Sequence, residues 1–267
     1  MDILTDRALI SFDDICPYQC KHCYTLDIPR KPVNRSMEEI VDSISTCKFD
    51  IVYISQRREN FVDPNVGIEL CEMVFKRYKC NIFIITRNVF ENEHILKLKK
   101  LKEKMEMEGK HLFVAVSVFA THSYMQSENP NIVPSPYERI SFLKTLAEEG
   151  FFTITLIRPV FPKKIIPIEE LYEIVDLCKC NANSCVVSSG LAVNANILWR
   201  LGVDKSDFDY ISNSHYLEGA MEGVLDFIDV TKELSLLKEY CSNVNVPFFE
   251  HTISALNYLL RNDKIGV

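Results

Sequence analysis

Short, nearly unbroken apolar runs recur along the chain, at residues 8–12, 51–55, 81–86, 112–118, 152–157 and 185–189. Each is rich in Val, Ile or Phe. Apolar residues at successive positions, instead of alternate ones, predict strands buried on both faces, as in parallel sheets. The intervening stretches carry helix signals. Ser36 followed by Glu39 forms a capping box that predicts a helix to about residue 47. Ser135 and Glu138 form another, with Pro136 at the first helical position and closure at Gly150. Ile95, Leu98, Leu101 and Met105 fall at helical spacing within residues 92–108, and Pro167 opens a helix carrying Leu171, Ile174 and Val175.

Strand–helix alternation predicts a parallel sheet with right-handed crossovers. About six such units are too few for a closed eight-stranded barrel, so the expected fold is α/β. It is a partial (β/α)6 TIM-type barrel over residues 1–190. After Gly190 the regularity breaks: residues 191–228 read as partly helical, with a loop at 204–215. A helix at 231–241, a short strand at 246–249 and a helix at 252–260 follow. Residues 191–267 are therefore expected to be an α/β extension covering the barrel opening, not an independent domain.

The 267 residues are 47% apolar, enough for one sizeable core. No apolar run approaches the ~18 residues of a membrane span. Thirty basic against 37 acidic residues give a net charge of −7, which disfavours general affinity for nucleic acid. The lysines at 97, 99, 100, 102 and 104 alternate with Glu103, Glu106 and Glu108, as on a solvated helix face. Ten cysteines with no leader segment fit a reducing cytoplasm, where thiols stay free for metal.

The candidate chemistry lies just after the first run, where Cys16, Cys20 and Cys23 stand at C-x3-C-x2-C spacing. Thiolates are the usual ligands of a [4Fe–4S] cluster. Three cysteines hold three of the four irons and leave one open for a substrate or cofactor. A structural zinc site normally uses two close ligand pairs. No second pair follows here at finger-like distance, and recruiting His22 would crowd so short a loop. Cys178, Cys180, Cys185 and Cys241 are expected not to form an auxiliary cluster. Cys178-x-Cys180 is an awkward spacing, and Cys185 lies in an apolar strand, where a thiol behaves as a small hydrophobe.

With His22 at a usually aromatic position and Tyr24 after the last cysteine, the motif resembles the signature of the radical S-adenosyl-L-methionine (SAM) superfamily. The resemblance implies a cluster whose open iron chelates the amino and carboxylate groups of SAM. Reductive cleavage then gives methionine and a 5′-deoxyadenosyl radical that abstracts hydrogen from a substrate. A flavodoxin or ferredoxin type of electron donor and a cytoplasmic location go with that chemistry.

The ends of the predicted strands resemble the spore photoproduct lyase-like branch of that superfamily, over residues 8–190. Thr86-Arg87-Asn88, the strand carrying Ser117, and Arg158-Pro159 through Pro162 match strand ends of that branch. So does the stretch from Asn129-Pro130 to Pro134-Ser135-Pro136. The resemblance implies SAM contacts from Ser55, Glu59, Thr86, Arg87, Asn88, Ser117, Arg158 and Ser188. Ser55 or Glu59 would accept from the ammonium, Arg87 or Arg158 would face the carboxylate, and Thr86 or Ser117 the ribose. Residues 55–60 depart from the family's Gly-Gly-Glu-Pro by having no glycine, and Arg87 replaces a lysine. Plainer readings stand beside these: Ser55 and Ser189 as turn caps, Arg87 and Arg158 in structural ion pairs.

The expected activity is of lyase or oxidoreductase type on a small-molecule, nucleotide or peptide substrate, with no membrane and no tight binding to duplex DNA. Two alternatives remain. A peptide-modifying or glycyl-radical-activating enzyme would carry a docking surface or a cysteine-rich tail. A non-catalytic protein would use the cysteines to hold zinc or sense iron. Substrate selectivity is expected in the segment after Gly190, including residues 213–216 and Phe249 to His251. Truncation after about Gly190 is then expected to disturb turnover more than cluster assembly.

Overall fold

The computed structural model describes residues 4–12, 15–27, 35–55, 58–179, 184–211 and 225–263. All six strands predicted before Gly190 form: β1 (Arg7–Ile10), β2 (Ile51–Ile54), β3 (Asn81–Thr86), β4 (Leu112–Val118), β5 (Phe152–Val160) and β6 (Ser184–Gly190). They pair in parallel and in consecutive order. Between them run α1 (Met37–Asp42), α2 (Pro64–Tyr78), α3 (Asn92–Met107), α4 (Pro136–Glu148) and α5 (Ile168–Cys178).

Past β6, β7 (Ala192–Val193) leads into α6 (Ala195–Leu201), and β8 (Tyr210–Ile211) and β9 (Asp226–Ile228) complete a small antiparallel sheet in the order β7-β9-β8. The chain then forms α7 (Thr231–Asn243), β10 (Phe248–Phe249) and α8 (Thr252–Asp263). β10 pairs in parallel with β6 as the seventh strand of the main sheet. That sheet is open, with β1 and β10 at its edges.

The two faces of the sheet are covered differently. Val52, Ile54, Ile82, Ile84, Val114 and Val116 pack against Ile40, Leu70, Leu98 and Leu143 of α1 to α4. Farther along the sheet, Ile157 and Val186 meet Leu171 and Ile174 of α5 and Leu237 of α7. The alternate residues, among them Tyr53, Phe83, Phe113, Ile154 and Val187, face the other way and meet Ala255, Leu256, Leu259 and Leu260 of α8. Strand order never reverses, so every carboxyl end opens toward one rim, which is where parallel α/β folds place their sites.

Several boundaries differ from the sequence reading. α1 stops at Asp42, because the Ser43 hydroxyl donates back to the Ile40 carbonyl and a series of turns follows. Both predicted capping boxes are present, at Ser36 and Ser135. α2 was not predicted, although Asp63 caps it and Pro64 opens it. β5 runs on to Val160 through a register shift after Ile157. β7 and β8, two residues each, are too short to show any periodicity. No helix among the described residues is long and apolar enough to cross a membrane.

Candidate metal centre and cofactor cavity

The cysteine loop leaves the end of β1 and is tied down by three other parts of the chain. The Lys21 N–H donates to the Ser127 carbonyl, and the His22 N–H to the Ser127 hydroxyl at 3.2 Å. Tyr18, Cys20 and Val133 form a small buried cluster, with Cys16 and Cys23 packed against it. His22 packs as an aromatic ring would, edge-on to Phe119 and Phe161 at 5.1 and 5.7 Å. Burial, then the nearby arginines, hold its ring well below the usual imidazole range, so it is neutral.

The third tie comes from α6. Arg200 donates to the Lys21 carbonyl at 2.9 Å and the Cys23 carbonyl at 3.1 Å, and grips Asp27 with both Nη atoms at 2.6 and 3.0 Å. The Asn194 and Asn196 amides complete the ring around Asp27. This bears on the expected effect of truncation after Gly190: that cut removes a clamp on the cysteine loop itself.

A cavity of about 300 Å³ opens at this rim. Cys16, Cys20 and Cys23 line it together with Ser55, Glu59, Thr86, Arg87, Ser117 and Arg158. The loop after β1 and the ends of β2, β3, β4 and β5 thus converge on one space. Asn88 and Ser188 do not line it. The Asn88 amide bonds the Phe61 carbonyl in a turn, and the Ser188 hydroxyl bonds the Ile157 carbonyl inside the sheet. Ser189 occupies the lining position at the end of β6.

The polar groups of this rim are mostly committed. Glu59 is buried; its carboxylate accepts from Phe61 N–H at 3.0 Å, the Thr86 hydroxyl at 2.9 Å and Arg87 N–H at 2.6 Å. Burial pushes its carboxyl above the usual range, against the pull of those donors. Ser55 holds φ at 74°, the left-handed region that favours glycine, and its hydroxyl accepts from Asn60 N–H at 2.9 Å. That conformation gives a physical reason for glycines at such a turn.

Arg87 and Arg158 differ. Arg87 pairs through Nε with Glu128 at 2.7 Å, and Glu128 pairs in turn with Arg139 at 2.6 Å; Glu128 and Arg139 side chains are fully buried. Arg158 has no ion pair among the described residues, and its buried Nε has no hydrogen-bond partner. Its Nη2 donates a long hydrogen bond to the Glu250 carbonyl, at 3.5 Å. Burial lowers it to about 10. A cation with no ion pair among the described residues, lining a cavity, is ready to take an anionic group.

Burial pushes the Cys20 thiol up to about 12, with Arg87 acting in the opposite sense, so ligation of a metal there releases a proton. Two ~2.3 Å zinc–sulfur bonds keep a pair of thiolates within about 4.6 Å. Among the described residues the donor group gathered within 4.8 Å is Glu91, Glu93 and His94, and the three cysteines are not so gathered.

Cys178, Cys185 and Cys241 are buried in the apolar core, the Cys178 sulfur 3.0 Å from the Thr155 hydroxyl. Cys180, Gln56, Arg57 and residues 213–216 lie outside the described residues. The α3 lysines meet carboxylates on the surface, Lys99 with Glu149 and Lys102 with Glu106. Glu128, Arg139, Ser127, Asp27 and Arg200 went unremarked in the sequence. Glu128-Asn-Pro before a capping box is the only local signal any of them gives.

No family model and no curated protein matches the chain. Among solved structures it is similar to the Amycolatopsis orientalis BexX/CysO complex, at 14% identity and a TM-score of 0.32, over 75% of this chain and 78% of that one. It is also similar to 3-dehydroquinate dehydratase from Geobacillus kaustophilus HTA426, at 7% identity and a TM-score of 0.31, over 79% of this chain and 89% of that one. Likeness this distant bears on neither site nor activity, and the reading of function rests on the cavity.

Proposed function

We propose that the chain is a cytoplasmic radical SAM enzyme, most like the spore photoproduct lyase-like branch, on a partial (β/α)6 TIM-type barrel. One observation carries the reading: the three motif cysteines and the carboxyl ends of five successive strands, β2 to β6, line a single cavity. Cys16, Cys20 and Cys23 would hold three irons of a [4Fe–4S] cluster. When bound, the cluster supplies the electron that cleaves SAM and so generates the radical that takes hydrogen from the substrate.

The protein's own residues bind and orient. Glu59 accepts two donors on one carboxylate oxygen and one on the other, which leaves capacity for the SAM ammonium. Arg158, a cavity-lining cation with no ion pair among the described residues, takes the SAM carboxylate, while Arg87 is already held by Glu128. Thr86 is spent between Glu59 and Asn88 N–H. Ser117 donates to the Arg158 carbonyl at 3.1 Å and keeps its lone pairs for a ribose hydroxyl. The C-terminal segment, through Glu250 beside Arg158 and the Arg200 clamp, helps exclude water from the rim.

Anaerobic incubation with SAM and dithionite tests the reading. Wild type should yield 5′-deoxyadenosine and methionine, and the Cys20→Ala protein neither. A protein that purifies colourless with stoichiometric zinc, and cannot be loaded with iron and sulfide, would return the regulatory alternative to first place.

A further inference from the structure

We propose that Arg87 is a positioning residue that serves as the fixed countercharge of the cysteine tripod, held in place by the buried Glu128–Arg139 pair. This deepens the reading of Cys16, Cys20 and Cys23 as cluster ligands and rests on it.

The geometry is unusual for a ligand-binding arginine. Arg87 is pinned from three sides: its own N–H on Glu59 at 2.6 Å, its Nε on Glu128 at 2.7 Å, and its Nη2 3.4 Å from Nε2 of His22. His22 sits in the chain between Cys20 and Cys23, and Arg87 lines the same cavity as both. Glu128 cannot turn away, because Arg139 Nη2 holds its other oxygen at 2.6 Å. Arg139 is in turn fixed on the Ser117 carbonyl and is wholly buried.

The three groups carry two positive charges and one negative, so the unit presents a net positive charge, with Arg87 at its cavity end. Replacing a buried ionic unit by apolar residues is often neutral or stabilising, so stability alone is a weak reason for it. A rigid cation beside a desolvated anionic centre has a definite electrostatic effect: it favours the more reduced, more negative state and raises the reduction potential. His22, whose Nε2 lies 3.4 Å from Arg87 Nη2, ties the arginine to the cysteine loop itself.

The test uses the full chain, reconstituted anaerobically with iron and sulfide, as wild type, Arg87→Gln and Arg87→Lys. Iron and sulfide per chain and the midpoint potential from an EPR-monitored dye titration are read, with no activity assay. Arg87→Gln is expected to keep its iron and shift to a more negative midpoint, and Arg87→Lys to recover most of the shift. If Arg87→Gln folds but loses the cluster while Arg87→Lys keeps it, the requirement for the charge is equally supported. An unchanged midpoint in an iron-replete Arg87→Gln protein overturns the proposal, as does loss of the cluster from both folded variants. Wild type that takes up no cluster fails the underlying reading instead, and the wild-type sample alone reveals it.

Discussion

Replacing Arg200 by Ala should free the cysteine loop without unfolding the sheet. Arg200 gives two charge-assisted hydrogen bonds to loop carbonyls and a two-point ion pair to Asp27, whose side chain is only 7% exposed. Such bonds contribute about 1.5–3 kcal/mol each, and exposure of the arginine discounts the sum. Asp27 also keeps its Asn194 and Asn196 donors. A net loss of about 3 kcal/mol is therefore expected, which is roughly a hundredfold change in the opening equilibrium. Burial raises the Asp27 carboxyl, but the Arg200 fork and the two amides outweigh it and leave it below its ordinary 3.8. The clamp is therefore fully formed above that pH and fails only as pH falls through the lowered value. Native-state hydrogen exchange at neutral pH reads the effect on the Lys21, His22 and Cys23 amides, all hydrogen-bonded in the fold. They should exchange about a hundredfold faster, with β3 to β5 unchanged. Equal loop protection in wild type and Arg200→Ala would refute the clamp, and equal loss across the sheet would refute its local character.

Other expected outcomes concern the cavity and its support. Arg158→Met should raise the urea midpoint by about 1 kcal/mol equivalent, since it removes a half-buried cation that has no ion pair among the described residues and whose buried Nε has no hydrogen-bond partner. The same variant should weaken SAM binding at least tenfold by calorimetry, by loss of a charged hydrogen bond worth about 1.5–3 kcal/mol. The Glu59 carboxyl is raised in the fold, so its contribution to apo-protein stability is fully present below its ordinary 4.5 and is lost as pH rises through the folded value. Urea unfolding of Glu59→Gln should lack that decline, and a parallel pH profile would contradict it. Gly67→Ala should destabilise by about 1–3 kcal/mol despite better helix propensity. Its Cβ would come 2.3 Å from the fully buried Phe61 ring, and thermal melts with and without Phe61→Leu check this.

What the sequence disclosed follows from what is local. Strands buried on both faces announce themselves as runs, so β3 and β4 were legible to the residue. Capping boxes mark helix starts but not helix ends, so α1 was read too long. The cysteine motif and the strand-end residues that line the cavity are short-range signals placed by a regular fold. The partners that fix them are not. Glu128 meets Arg87 across 41 residues, and Arg200 meets Cys23 across 177. A carboxylate or arginine on a loop gives no sign of such distant pairing until the sheet brings the two together. Asn88 and Ser188 show the converse, since each stands at a strand end yet spends its side chain on a neighbouring carbonyl and does not line the cavity.

The central claim is that Cys16, Cys20 and Cys23 hold a cluster with an open iron. Electron paramagnetic resonance of the anaerobically reconstituted, dithionite-reduced protein tests it most directly, with and without SAM. A reduced-cluster signal is expected in wild type, changing when SAM is added and lost in Cys20→Ala. A wild-type signal indifferent to saturating SAM, or no iron–sulfur signal after reconstitution, would contradict it.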